Sequence, residues 1–266
     1  MIGFRSIRIS ALFATCLAVL TSCTEPAAQT ATPPDLRGAS NIQRDTLPQF
    51  TSNELLGRFD PASHPAFSRV PDAWTDKNDI YLRSEVLEAC DDMRKAASKA
   101  GITLIVRSAT RNFEYQRGIW ERKWERPRYM GWHDVDKARD ILTYSAMPGA
   151  SRHHWGTDID FNAFENDWFE SDEGAPTYNW LKENAGHYGF HQVYDDKSTG
   201  RTGYELERWH WSFLPTANLM LAAYNQRISE DSLMDAEFSG SDTADSLRVL
   251  TDFVNGLALP QSKTER

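Results

Sequence analysis

Apolar positions between residues 84 and 100 recur with a helical period. Val86, Cys90, Met93 and Ala97 fall on one face, which predicts a helix that Ser84 caps and Gly101 ends. Ile102-Thr103-Leu104-Ile105-Val106 follows as a β-rich run and predicts a buried strand. Residues 112–125 return to helical spacing. Pro148-Gly149 then breaks the chain before Ser151, and residues 156–161 alternate as a strand does. Residues 177–187 predict a short helix ending near Gly189. Residues 204–213 are aromatic and extended, a strand with a turn, and residues 214–226 and 244–257 predict two more helices. The Asp/Ser-rich stretch 229–245 reads as a solvated loop leading to the last of these. No internal repeat is present. Helices and strands interspersed without a regular βαβ rhythm predict an α+β fold.

The N-terminal pattern is of another kind. Arg5 and Arg8 precede a short apolar run over residues 9–20, which ends in Leu20-Thr21-Ser22-Cys23. A basic start, a short apolar run and small residues before a cleavage point make a secretory signal. A membrane span needs about 20 apolar residues, more than this run supplies. Leu-Thr-Ser-Cys resembles a bacterial lipobox. That resemblance implies that residues 1–22 are removed, that Cys23 is lipidated, and that acyl chains anchor the chain in the bacterial cell envelope. Thr24 is not the Asp that resembles an inner-membrane retention signal, which points to the periplasmic face of the outer membrane where a cell has two membranes. Residues 23–45, rich in Ala, Thr and Pro, read as the lipidated Cys and a flexible tether. A catalytic domain is expected over residues 46–226, with a C-terminal helical extension over residues 227–266.

Composition narrows the partners. The chain has 266 residues, a net charge of −9 and 3 Cys. Residues 1–22 carry two arginines and no acid, so the remainder holds 27 bases against 38 acids. Such an acidic chain excludes nucleic acid as a main partner, because binding phosphates needs a positive field. Cys16 leaves with the signal and Cys23 carries lipid. Cys90 then stands alone, with no internal disulfide, as an apolar filler on a helix. A monomer is expected.

Two segments carry chemistry: Ser151-Arg152-His153-His154-Trp155-Gly156-Thr157-Asp158-Ile159-Asp160 and Glu207-Arg208-Trp209-His210. A catalytic zinc needs three N/O ligands and an open position. His153, Asp160 and His210 can be those ligands, and Glu207 can be a general base that need not ligate. Asp158 and Asp160, two apart on a strand, share a face. His153 lies an odd number of residues from Asp160, so a bend is required, and Gly156 supplies one at little steric cost. Glu207 and His210, three apart, converge on a helical turn or where a strand bends, and the aromatic context favours the bend. His154 either is exposed or holds the loop. Asp158 is either a hydrogen-bond partner behind a ligand or an unrelated surface acid. Trp209 and Trp211 read as core or pocket wall rather than substrate contacts.

The first segment resembles the S-x-H-x-x-G-x-A-x-D signature of the VanY/VanX-type zinc D-alanyl-D-alanine peptidases, and the second resembles their E-x-W-H signature. Trp180-Leu181-Lys182-Glu183-Asn184-Ala185 with Tyr188-Gly189-Phe190 resembles the family's W-L-x-x-N-A-x-x-Y-G-F segment. Arg107-Ser108-Ala109-Thr110-Arg111 with Gln116 resembles its S-x-Y-R-x-x-x-x-Q block. The four matches are in order and cover about residues 80–215.

The resemblance implies a single compact domain with a central, mostly antiparallel sheet flanked by helices, of the hedgehog/D,D-peptidase kind. It implies one catalytic Zn2+ on His153, Asp160 and His210, with Glu207 as general base. Arg111 is implied to polarise the scissile carbonyl and steady its oxyanion, with Gln116 and Ser151 as substrate-side supports. The implied substrate is the terminal D-Ala-D-Ala bond of a peptidoglycan stem peptide. The family's Ala before the last Asp is Asp158 here, and its Tyr before Arg is Thr110. An endopeptidase on the same scaffold, or a wall-binding module retaining a structural metal, are the alternatives. The open zinc position and Glu207 weigh against the second.

Overall fold

Four short strands form the sheet that carries the site. The computed structural model describes residues 50–234 and 237–258. The signal, Cys23 and the tether lie outside the described residues. The capping box Thr51–Glu54 starts the short helix α1 (Ser52–Leu55). A hairpin follows, β1 (Phe67–Arg69) against β2 (Tyr81–Arg83). The chain passes directly into α2 (Ser84–Lys99), which buries Val86, Cys90, Met93 and Ala97 as the period predicts. Ser84 does not cap this helix. Arg83 holds the cap position, and the Ser84 hydroxyl pairs instead with that of Ser68 at 2.9 Å. Cys90 is fully buried, and burial pushes its thiol up to about 12, so it is an inert filler.

The strand expected over residues 102–106 begins later, as β3 (Val106–Ser108). Asn162 explains the shift. Its side-chain oxygen accepts from the Ile105 N–H at 3.2 Å and its amide donates to the Thr103 carbonyl at 2.9 Å, so a side chain replaces a strand partner there. Next come α3 (Phe113–Trp124), capped by Asn112, and α4 (Asp134–Ile141), which the sequence pattern did not predict. Then come β4 (Asp158–Phe161), α5 (Ala175–Asn184), β5 (Phe190–His191), β6 (His210–Phe213), α6 (Leu214–Arg227) and α7 (Glu230–Met234). Of the extended segment expected over residues 204–213, only β6 forms a strand. The expected helix over residues 244–257 is a series of turns leading into a π-helical segment, Val249–Val254.

The sheet order is β3-β4-β6-β5, antiparallel throughout. This is the α+β architecture, with a central antiparallel sheet and flanking helices, that the sequence leads one to expect. All of β4 is buried, because both faces of the sheet are covered. Ile159, Phe161, Val106 and Trp211 pack with Val86 and Met93 of α2 and Leu181 of α5. Asp158 and Asp160 take the opposite face by strand alternation. A second core joins Trp120, Trp155, Tyr194, Tyr204 and Tyr224 to Phe238, Val249 and Val254.

Candidate metal centre and active-site cleft

The register of β4 with β6 sets Asp160 opposite His210 and Asp158 opposite Ser212. The His210 ring therefore lies between the two carboxylates. Its Nδ1 is 3.0 Å from Asp160 Oδ1, and its Nε2 is 2.9 Å from Asp158 Oδ2. His153 comes from a 3-10 turn, Arg152–Trp155, that ends on Gly156 at φ 71°. A Cβ at Gly156 would lie 2.3 Å from the Phe67 ring. The bend that the spacing requires is thus made by the one residue that fits there. It brings His153 Nε2 within 3.3 Å of Asp160 Oδ2 and 3.2 Å of His210 Nδ1.

The outer ring nitrogens define the tautomers. His153 Nδ1 donates to the Ala109 carbonyl at 2.8 Å, and His210 Nε2 donates to Asp158. His153 Nε2 then presents its lone pair toward His210 Nδ1, 3.2 Å away. Burial alone would lower the His210 imidazole, but hydrogen bonds to Asp158 and Asp160 push it up to about 9. Its ring thus holds a positive charge between the two carboxylates, where a metal cation can take the place of the Nδ1 proton. One ligand atom from each of His153, Asp160 and His210 lies within 4.8 Å of the others, and all three residues are buried. Two imidazoles and one carboxylate match the donor set of catalytic zinc sites.

Asp158 sits behind His210 rather than inside this cluster. Burial alone would raise its carboxyl, but the Arg152 guanidinium, 3.0 Å away, and the His210 ring hold it well below the usual carboxylate range. Thr157 and Ser212 also donate to it, at 2.6 and 2.8 Å. A carboxylate behind a ligating imidazole fixes its orientation and raises its basicity. Of the two readings open for Asp158, the structure selects the hydrogen-bond partner, behind the His210 ring, over the surface acid.

Glu207 lies in the turn before β6, with Oε2 3.8 Å from His210 Nδ1. Burial pushes its carboxyl up to about 7, and His210 opposes that rise. Arg111 Nη2 is 3.8 Å from Asp160 Oδ2. Its backbone is clasped to the His153 turn, because Arg111 N donates to the His153 carbonyl at 3.1 Å and His154 Nδ1 donates to the Arg111 carbonyl at 2.5 Å. His154 also accepts from the Gly149 N–H at 2.9 Å, so it holds the loop and is not exposed. Thr110, where the family has Tyr, donates its hydroxyl to the Tyr81 carbonyl at 2.5 Å.

Two cavities meet at this site. An inner chamber of about 30 Å³ is walled by Ser151, His153, Tyr204, Glu207 and His210. An outer cleft of about 640 Å³ runs past Tyr115, Lys123, Phe164 and Trp209. Arg111, Tyr144, Ser145 and Glu207 line both. Gln116 lines neither of these two cavities. It is buried on α3 and donates to the Ala146 carbonyl at 2.7 Å, bracing the chamber wall. Trp209 is a cleft wall and Trp211 a core residue. The sequence reading missed Lys123, Tyr144, Ser145 and Tyr204. Lys123 carried a signal, since it lies seven residues, two helical turns, after Gln116.

The sequence profile of the VanY D-alanyl-D-alanine carboxypeptidase family matches residues 79–216, half of the chain. The chain belongs to this family. All four motifs of the sequence analysis fall inside the VanY match. A D-alanyl-D-alanine carboxypeptidase of Enterococcus faecalis is 32% identical over 123 residues, 46% of this chain and 44% of the relative. A putative carboxypeptidase, YodJ, of Bacillus subtilis is 29% identical over 136 residues, 50% of this chain and 46% of the relative. The chain therefore spans about half the length of these curated relatives. Among solved structures, a variant of the vancomycin-resistance D,D-pentapeptidase VanY in complex with Zn(II) is 26% identical. It covers 62% of this chain and 94% of its own, with a TM-score of 0.45.

Proposed function

We propose that this protein is a zinc-dependent carboxypeptidase that hydrolyses the terminal D-Ala-D-Ala bond of peptidoglycan stem peptides. The observation that carries the reading is the convergence of His153 Nε2, His210 Nδ1 and Asp160 at the floor of a cleft that also holds Glu207 and Arg111. Zinc, when bound by these three residues, supplies Lewis acidity that polarises a carbonyl and lowers the pKa of water to about 7 in comparable sites.

The chain's own groups do the rest. Glu207 takes the proton of the attacking water and passes it to the leaving amine. A carboxyl that burial has pushed up to about 7 is matched to that exchange near neutral pH. Arg111 faces the developing oxyanion, and a fixed charge there contributes several kcal/mol in comparable sites. Asp158 holds the His210 ring, and the Ala109 carbonyl holds the His153 ring. Ser151 offers a hydroxyl from the chamber wall.

The lipobox-like Leu20-Thr21-Ser22-Cys23 supports the rest of the proposal. Lipidated Cys23 tethers the domain in the cell envelope, at the periplasmic face of an outer membrane where one exists. There the enzyme removes the terminal D-Ala that transpeptidation requires.

Incubation with defined pentapeptide muropeptides and cross-linked dimers, with and without chelator, tests this by mass spectrometry. Loss of one D-Ala that chelator abolishes supports the reading. Cleaved dimers with intact pentapeptides would replace it with an endopeptidase.

A further inference from the structure

The mouth of the inner chamber contains a cation that the mechanism above does not use. Lys123 lies on the same face of α3 as Gln116, two turns on. Gln116 braces Ala146, and Lys123 Nζ donates to the hydroxyl oxygen of the adjacent Ser145. Ser145 is buried and lines both the chamber and the cleft. Among the described residues, no carboxylate lies within salt-bridge distance of Lys123. Lys95, Lys137 and Lys197 each pair with an acid, and Lys77, Lys99 and Lys182, which do not, are exposed where Lys123 is half-buried. Burial, followed by the guanidinium of Arg126, pulls its ammonium down to about 8, so it still carries its charge at neutral pH while lacking a counter-ion.

Ser145 accepts from Lys123, so its own O–H is free to donate to a further group. The ammonium, that hydroxyl and the Arg111 guanidinium stand around the passage between chamber and cleft. Arg111 is taken by the oxyanion; the ammonium and the hydroxyl remain as donors carrying one formal positive charge, which suits a carboxylate. Lys123 lines the cleft and not the chamber, and shares that cleft with Glu207 and Asp160. When the last peptide bond of a chain lies beside those groups, its free carboxylate is only a few bonds away, whereas an internal bond puts a neutral amide there. The carboxylate that reaches this point is therefore a chain end.

We propose that Lys123, with Ser145, receives the free carboxylate of the C-terminal residue and makes the site select chain ends over internal bonds. This rests on the hydrolase reading above and names the residue that sets its specificity.

The test compares an acetylated tripeptide ending in D-Ala-D-Ala with the same peptide as its C-terminal amide. The zinc-loaded wild type, Lys123→Met and Lys123→Arg are assayed on both. The wild type is expected to favour the free acid. Lys123→Met is expected to lose about tenfold or more in kcat/KM on the acid, mainly through KM, as loss of a charge-assisted contact predicts. On the amide it should stay within about twofold of wild type, a margin well below the tenfold loss expected on the acid. Lys123→Arg should recover most of the acid preference. The amide rate also reports that Lys123→Met is folded.

Equal losses on acid and amide would overturn the proposal and make Lys123 a support for Glu207 or for the fold. So would no change on either, or a wild type that cleaves both substrates equally well. A zinc-loaded wild type that cleaves neither overturns the hydrolase reading, and this inference with it.

Discussion

The His210 ring donates from Nε2 to Asp158 Oδ2 at 2.9 Å, while its Nδ1 turns toward Asp160 and His153. One hydrogen bond thereby decides which nitrogen of His210 is available to a metal. Arg152, Thr157 and Ser212 in turn fix Asp158, so the orientation is set by a buried and fully partnered group.

Asp158→Ala should therefore weaken zinc binding by about 10- to 100-fold, the usual consequence of losing a carboxylate behind a ligating imidazole. Competition against a chromogenic chelator measures this. Unchanged affinity in a folded variant would show that Asp158 serves only to pair Arg152.

His153→Ala removes a proposed zinc ligand outright. The purified variant should carry far less than one equivalent of zinc by elemental analysis. Wild-type stoichiometry would remove His153 from the metal site.

Arg111→Ala should retain zinc and lose kcat by a factor of about 100 or more, in line with the loss of a single oxyanion donor. An unchanged kcat/KM would make Arg111 structural.

Gly156→Ala tests the bend that brings His153 to the sheet. The residue has φ 71°, and a Cβ there would meet the Phe67 ring at 2.3 Å. Left-handed strain and overpacking together should cost roughly 2 kcal/mol or more. Calorimetry should show Tm falling by several degrees, with zinc affinity falling too. Wild-type stability would mean that the turn tolerates a side chain.

The candidate site was legible in the sequence because its chemistry restricts residue types at short spacing. His153, Asp160, Glu207 and His210 lie on two segments, each within ten residues, and the structure brings them together. The role of Asp158 was not legible, because it depends on the register that places β4 beside β6. Nor was the start of β3. The run 102–106 has strong β character, yet a distant Asn162 at φ 58° takes the Ile105 N–H. The helix expected over residues 244–257 failed for a related reason. Ala244, Leu247, Val249 and Val254 are buried in the core around Trp120, and tertiary packing sets their backbone there. Lys123 was missed because a lysine on a helix is usually a solvated surface residue.

In the proposed mechanism Glu207 is the base, and other residues hold the metal. The most direct test measures zinc content and D-Ala release from a defined pentapeptide, side by side for wild type and Glu207→Ala. Full zinc occupancy is expected in both, with D-Ala release from the wild type alone. Undiminished release by zinc-loaded Glu207→Ala would contradict Glu207 as the base.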